Sequence, residues 1–494
     1  MKKYLKLFIL LIGFMVCSFV HAETEITFDS TRRGITDNES YYITNKATFT
    51  VNNVVSTDSF KAYKILDAYY NENANTITYD FTNDFQAYLK TTTDYKDLTS
   101  SDYYSLSSGS LTSGSTLTSS TLDKLVSGFA SYIKTNNVSG SLMNISGNTA
   151  SLSLEAGSYL ILPVSTTKVY SVMVGNLDFT AEDEKYWNLN NETIVAKVSE
   201  AKVEKYVDDN KDSADHSIGE IYTYTIKATV IQYPTNATNK TFKIVDILDK
   251  SITLTGINTI IVKDGDTLLT TDSGVIKNAS NKIVATITYS NNILTIDFNV
   301  DNLTSTNITI TYNASLNTLL NEESYSDCSG SKNKVKLVYS NDPYGTGTYE
   351  TEEKETTVYT HWLQILKFEG NDQTKVLSGA KFEIYSDAEL KNKIGEMITG
   401  EDGIATYNGI KGGTYYLKEA SAPSGYRKIN NILTADIKKE SCLYRIHVSN
   451  TKNGLLPFTG GSGSSSYIVI GGIIILIGTC SMIYYHKKNL VTNE

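Results

Sequence analysis

The stretch from Tyr222 to Val230 narrows the choice of fold more than any other. Tyr222, Tyr224, Ile226, Ala228 and Val230 alternate strictly with Thr223, Thr225, Lys227 and Thr229. Successive side chains of a strand point to opposite faces, so this period of two describes a strand with one dry face and one wet face. Phe242 to Asp246 and Ile308 to Tyr312 follow the same pattern, with polar turns between them and almost no helical periodicity. Short strands at such spacing pack as two stacked sheets. Composition agrees, because charged residues make up only 20% of the chain and prolines number five, whereas Tyr numbers 35 beside abundant Thr, Ser and Asn. That mix suits exposed β-surface rather than helices or a proline-rich stalk.

Taken in order, the chain opens with Met1-Lys2-Lys3, a short apolar stretch from Leu7 to Val20, and Val20-His21-Ala22 ending on a small residue. This reads as a secretory signal over residues 1–22, with Glu23 as the mature start. Residues 23–197 form a first region. Ala47–Val51, Phe60–Leu66 and Gly157–Leu162 read as strands, while Asp84–Lys90 and Thr121–Ile133 carry apolar residues at helical spacing. A β-sandwich with helical insertions is expected there. Residues 198–358 form an all-β second region, in which the charged stretch Tyr349–Thr357 reads as a link onward. Residues 359–453 form a third, with strands at Gly379–Tyr385 and Gly413–Glu419 and a turn at Asp402-Gly403. Residues 454–494 hold Leu456-Pro457-Phe458-Thr459-Gly460, a Gly/Ser spacer, an apolar run of 19 residues from Tyr467 to Tyr485, and a tail with His486, Lys487 and Lys488. At about 1.5 Å per residue that run is long enough for one membrane crossing, with the lysines left on the cytoplasmic side.

The formal charge of −10 and the lack of a basic stripe argue against a nucleic-acid partner. Cys17 falls in the signal and Cys480 in the apolar run, which leaves Cys328 and Cys442 far apart, so no disulfide is evident from the sequence. The five histidines are scattered and show no zinc spacing; no metal and no cofactor are expected. Asp208, Asn210 and Asp212 imitate the start of a calcium loop, but Ser213 stands where the turn requires Gly, so a solvated turn is expected. Neither G-x-S-x-G nor H-E-x-x-H occurs, so nothing suggests a hydrolase.

Leu456-Pro457-x-Thr459-Gly460, followed by an apolar run and a basic tail, resembles the cell-wall sorting signal of Gram-positive surface proteins. The resemblance implies that a sortase cysteine cleaves Thr459–Gly460 and passes the threonine acyl group to an amine. The third region, with Gly379-Ala380-x-Phe382-x-Ile384-Tyr385 and Tyr415-x-Leu417-x-Glu419-x-x-Ala422-Pro423-x-Gly425-Tyr426, resembles the collagen-adhesin B-type domains of Gram-positive pilins and adhesins. The second region resembles their A-type companion. The fold implied is all-β, a tandem of immunoglobulin-like sandwiches followed by the C-terminal membrane helix.

Such domains often weld themselves with a Lys–Asn isopeptide bond. The chemistry needs a lysine that burial keeps neutral, an asparagine carbonyl as electrophile, and a buried carboxylic acid to polarise that carbonyl and move the proton. In the third region the family slots fall on Lys367, Asn450 and the acid Glu419. In the second they fall on Lys205, Asn333 and the acid Asp246, with Lys202 and Asn341 as competitors. Lys205 is preferred because apolar Val203 and Val207 stand two positions to either side, as suits an inward-facing strand residue. In the first region Lys61 and Lys64 have no obvious acid and amide, and no bond is expected.

Head-to-tail polymers also need an acceptor amine. In backbone pilins it follows a Trp and a strand at the end of the first domain. Trp187 and Thr193–Ala196 point to Lys197, although the family's Tyr-Pro-Lys is here Val195-Ala196-Lys197; Lys202 is the runner-up. The expectation is the structural shaft subunit of a wall-anchored pilus, a substrate of sortase rather than an enzyme. Its partners would be identical subunits, minor tip and base pilins, and peptidoglycan. The alternative is a monomeric wall-anchored adhesin or pilus-base subunit.

Overall fold

The computed structural model describes residues 25–111, 117–181, 186–234, 236–319, 329–453 and 474–484. The signal segment 1–22, the pentapeptide 456–460, the lysines of the tail and Cys328 lie outside them. Residues 474–484 are helical; among the described residues no helix is long and apolar enough to cross a membrane. The chain divides into two compact units.

The first unit takes in the first two sequence regions. In the first region a sheet ordered Phe28–Arg33, Tyr41–Ile43, Ser59–Asn71, Gly157–Ser165, Met173–Leu177 faces a second sheet ordered Glu192–Val195, Lys46–Asn52, Thr149–Glu155, Asn144–Ser146. Phe49, Val51, Phe60, Tyr159, Ile161 and Tyr170 fill the space between. Three helices, Asn83–Leu89, Ser100–Ser107 and Ser119–Asn136, begin at Thr82, Thr99 and Thr118, whose hydroxyls each accept an N–H from the first turn. They bury Phe85, Tyr88, Tyr103, Leu125 and Phe129 against Leu160 and Leu162 of the first sheet. Gly157 is needed where two strands meet: its φ is +142°, and a Cβ there would stand 2.0 Å from the Leu66 carbonyl oxygen.

The second region is a two-sheet sandwich. One sheet carries Lys202–Val207, Ile221–Thr229 and Asn307–Leu316 as neighbours; the other carries Lys354–Tyr359, Ser331–Tyr339, Phe242–Leu248 and Ile293–Phe298. Tyr222, Tyr224, Ile226, Ala228 and Val230 are all buried, so the alternation read in the sequence is the inward row of a strand. Lys354–Tyr359 is a strand of the second sheet rather than a link, because Thr356 and Val358 occupy inward positions despite the acidic residues before them. The turn at Asp208, Asp209 and Asn210 is left-handed and closed by a pair of backbone hydrogen bonds between Val207 and Lys211. The two regions are tied within this unit: the Tyr339 hydroxyl donates to the Thr167 carbonyl at 2.5 Å, Asn341 Nδ2 to the Thr166 carbonyl at 2.6 Å, and Lys134 pairs with Asp342 at 2.9 Å.

The second unit contains the third region, together with the segment Asp215–Glu220. Its first sheet holds Asp372–Val376, His361–Glu369 and Ile404–Ile410, with Leu443–Asn450 on the other edge of His361–Glu369; its second is ordered Lys393–Ile398, Lys381–Tyr385, Gly413–Ser421, Leu433–Ile437. First and last strands run parallel, with Lys367 opposite Val448 and Glu369 opposite Asn450. Cys442, just before the last strand, is disulfide-bonded, its partner lying outside the described residues. No disulfide was evident from the sequence, because Cys442 stands far along the chain from every other cysteine.

Candidate functional site: buried lysine, acid and asparagine

Lysine is seldom fully buried unless it is paired. Among the described residues two lysines are buried, Lys205 and Lys367, and Glu419 is the one buried glutamate. Strand alternation places them there. Leu363, Ile365 and Lys367 form one inward row; Tyr415, Leu417 and Glu419 form another; Val448 and Asn450 end a third. Each row is apolar until its last member, so three polar side chains meet at one end of the core.

In the third region Lys367 Nζ donates to Asn450 Oδ1 and lies 3.0 Å from Glu419 Oε1, to which Asn450 Nδ2 also donates at 3.0 Å. Glu419 Oε2 accepts the Ile429 N–H at 2.7 Å, which fixes the carboxyl's orientation. The Phe382 ring lies 5.3 Å from the amine. Burial holds the Lys367 amine below the usual lysine range, against the opposing pull of Glu419. The turn at Gly403, with φ +74°, accepts the Lys367 N–H at 2.8 Å and anchors that strand end.

The second region assembles the same groups differently. Lys205 Nζ lies 2.7 and 2.8 Å from the two oxygens of Asp246, and 3.1 Å from the Tyr312 hydroxyl. The Tyr312 hydroxyl donates to Asp246 Oδ2 at 2.5 Å and accepts Asn333 Nδ2 at 2.7 Å. Asn333 Oδ1 is buried without a hydrogen-bond partner among the described residues. Burial pushes Lys205 down and Asp246 up, which favours the neutral amine and neutral acid over the ion pair. Lys205 belongs to one sheet, Asp246 and Asn333 to the other. In the third region, by contrast, Lys367 and Asn450 share a sheet and Glu419 reaches across the core.

Both pockets therefore hold an amine, an amide carbonyl and a carboxyl, shielded from water. Those are the reactants and the proton carrier for exchanging one amide for another. Attack by the lysine nitrogen on the asparagine Cγ forms a C–N bond, and the old amide nitrogen leaves as ammonia.

The competing residues lie elsewhere. The Lys202 side chain is 68% exposed beside Glu200, and Asn341 is engaged with Thr166. Lys64 is set among Asp67, Glu155 and the Tyr42 hydroxyl rather than beside an amide. Lys197 is exposed and lines a cleft of about 310 Å³ within the first unit, together with Asp123, Val174, Ile194, Pro234 and Tyr344. Tyr312 was not singled out from the sequence. Its signal there is a phenol within the otherwise aliphatic inward row Ile308, Ile310, Ala314, Leu316.

The SpaA prealbumin-like fold domain family matches residues 361–452. The trypsin-resistant surface T6 protein of Streptococcus pyogenes serotype M6 is 27% identical over 271 residues, which is 51% of this chain and 48% of that protein. The chain thus matches about half the length of that curated relative. The solved T6 backbone pilin of serotype M6 S. pyogenes, described as a modular three-domain structure decorated with variable loops and extensions, is 18% identical, with a TM-score of 0.63 over 83% of this chain and 99% of that one. The full-length major pilin SpaD of Corynebacterium diphtheriae is 20% identical, with a TM-score of 0.52 over 83% and 98%. By sequence, then, this chain is similar to a streptococcal surface protein over about half its length, and by fold it is similar to the solved T6 and SpaD pilins over most of it.

Proposed function

We propose that the protein is the shaft subunit of a covalently polymerised surface pilus, strengthened by Lys205–Asn333 and Lys367–Asn450 isopeptide bonds. Sortase would attack the Thr459 carbonyl, release Gly460, and hold the chain as a thioester. The Lys197 amine of the next subunit would then displace the enzyme and form a new amide. Asp246 and Glu419 would promote the internal bonds once each, so the protein is no enzyme in the turnover sense. Minor pilins at tip and base, peptidoglycan at the wall, and a transient membrane anchor through 467–485 complete the reading.

The observation that carries the shaft role is Lys197. It offers an exposed amine beside a cleft whose lining mixes apolar Val174, Ile194 and Pro234 with Asp123, a setting that suits an extended peptide bearing a proline and an aromatic residue. A protein anchored once to the wall has no use for such an amine. Immunoblots of the wall fraction test this. Wild type is expected to give a ladder of SDS-resistant species, Lys197→Ala a single band, and Lys202→Ala a normal ladder. An undiminished ladder from Lys197→Ala would remove Lys197 from the role, and a single band from wild type would favour the adhesin.

A further inference from the structure

The two buried sites differ in how the amide nitrogen meets its acid. In the third region one oxygen, Glu419 Oε1, stands 3.0 Å from both the attacking amine and the leaving amide nitrogen. In the second, Asp246 is shorter by one methylene. Both its oxygens face Lys205, and Asn333 Nδ2 reaches the Tyr312 hydroxyl instead. That hydroxyl in turn touches Asp246 Oδ2.

We propose that Tyr312 is a catalytic residue of amide formation in the second region, relaying a proton from Asp246 to the departing nitrogen of Asn333. This rests on the reading that Lys205 and Asn333 become joined. The step balances without an outside reagent. The neutral Lys205 nitrogen attacks the Asn333 Cγ while Asp246 still carries its own proton. Cγ is then tetrahedral, so Nδ2 regains a lone pair and turns from donor to acceptor. The Tyr312 hydroxyl gives its proton to Nδ2 while taking one from Asp246. The Cγ–Nδ2 bond breaks and ammonia leaves; the proton that the Lys205 nitrogen sheds then passes to the Asp246 carboxylate, so Asp246 and Tyr312 end as they began. A short acid plus a phenol thus spans what one glutamate spans alone.

Placement supports the role. Tyr312 stands in the middle of the inward row Ile308, Ile310, Tyr312, Ala314, Leu316 in the sheet that carries Lys205, with the strand Ile221–Thr229 between them, and its hydroxyl crosses the core to groups of the other sheet. Tyr224, its neighbour across the strand pair, packs its ring 5.3 Å away and holds the phenol in line. A tyrosine retained only for packing would not need all three reacting side chains around its oxygen.

The test follows the full-length chain at intervals after cell-free synthesis, by digestion and mass measurement of the peptides containing Lys205 and Asn333. The Lys367–Asn450 peptide pair in the same chain serves as internal control. Tyr312→Phe removes only the hydroxyl and is expected to slow the Lys205–Asn333 link by at least about a hundredfold, the lower range for a general acid, while the control closes on time. The Asp246→Glu, Tyr312→Phe double variant, whose longer carboxyl imitates Glu419, is expected to recover the link. Wild-type speed in Tyr312→Phe overturns the relay. So does a double variant as slow as the single one, because the hydroxyl then serves only to position its neighbours. A wild-type chain that closes Lys367–Asn450 but never Lys205–Asn333 instead overturns the reading on which the relay rests.

Discussion

Glu419→Gln is the sharpest probe of the third region. The substitution keeps the side chain's volume and an oxygen for the Ile429 N–H, 2.7 Å away, but removes the group that carries the proton. Lys367 and Asn450 are 83 residues apart in sequence. Closing a loop of that length restricts the unfolded chain by about 4.5 kcal/mol, if an amide cross-link acts as a disulfide does. For a domain of this size roughly 4–8 °C of melting temperature follows each kcal/mol, so the variant is expected to melt roughly 20–35 °C lower. Leaving Lys367 and Asn450 buried and unjoined adds to the deficit. The assay pairs thermal unfolding with the mass of the peptides spanning the two residues. Wild type should lack one ammonia relative to its sequence, and Glu419→Gln should not. Wild-type peptides at full sequence mass refute the bond itself. A joined variant refutes the role of the acid, and an unjoined variant that melts within a few degrees of wild type refutes the loop argument.

Two further outcomes are expected. Asn333→Ala leaves Lys205 a free amine that burial keeps below its ordinary value of 10.5. Unfolding restores that value, so between the two pKa values the unfolded state binds more protons and stability rises with pH. The variant's deficit in urea midpoint against wild type should therefore shrink from about pH 8 to about pH 10; a deficit that widens contradicts the assignment. At the other end of the chain, wall-released protein should yield peptides in which Thr459 is joined to a foreign amine, and recovery of Gly460 still attached to Thr459 would dispose of the cleavage site.

The period-two rows made most of the architecture legible. Tyr222 to Val230 and Lys202 to Val207 read as inward and outward faces, and Lys205 was distinguishable from Lys202 because Val203 and Val207 share its face. Helices with apolar residues at three- and four-residue spacing, such as that containing Leu125 and Phe129, were equally visible. Ser100–Ser107 was not, since only Tyr103 and Leu106 mark its buried side among serines. Lys354–Tyr359 was hidden because a strand with two buried positions, Thr356 and Val358, carries too short a pattern to outweigh its charges. Tyr312 was hidden for a different reason. A phenol in an aliphatic row looks like packing, and only the crossing of two sheets brings its oxygen to an acid and an amide.

The parallel pairing of His361–Glu369 with Leu443–Asn450 sets how the domain fails. Parallel neighbours place the entrance and exit of the chain at opposite ends of the pair, so tension shears the whole ladder instead of peeling it one bond at a time. With Lys367 joined to Asn450, the load leaves the first strand near its end and passes directly to the last. The 83-residue excursion between them, which could otherwise pay out roughly 280 Å of slack, carries no force. A protease that cuts anywhere between Phe368 and Ser449 would open a loop without parting the fibre. With that bond in place, surface segments of this domain could be nicked, or change their exposed residues, while a filament built from it stayed continuous.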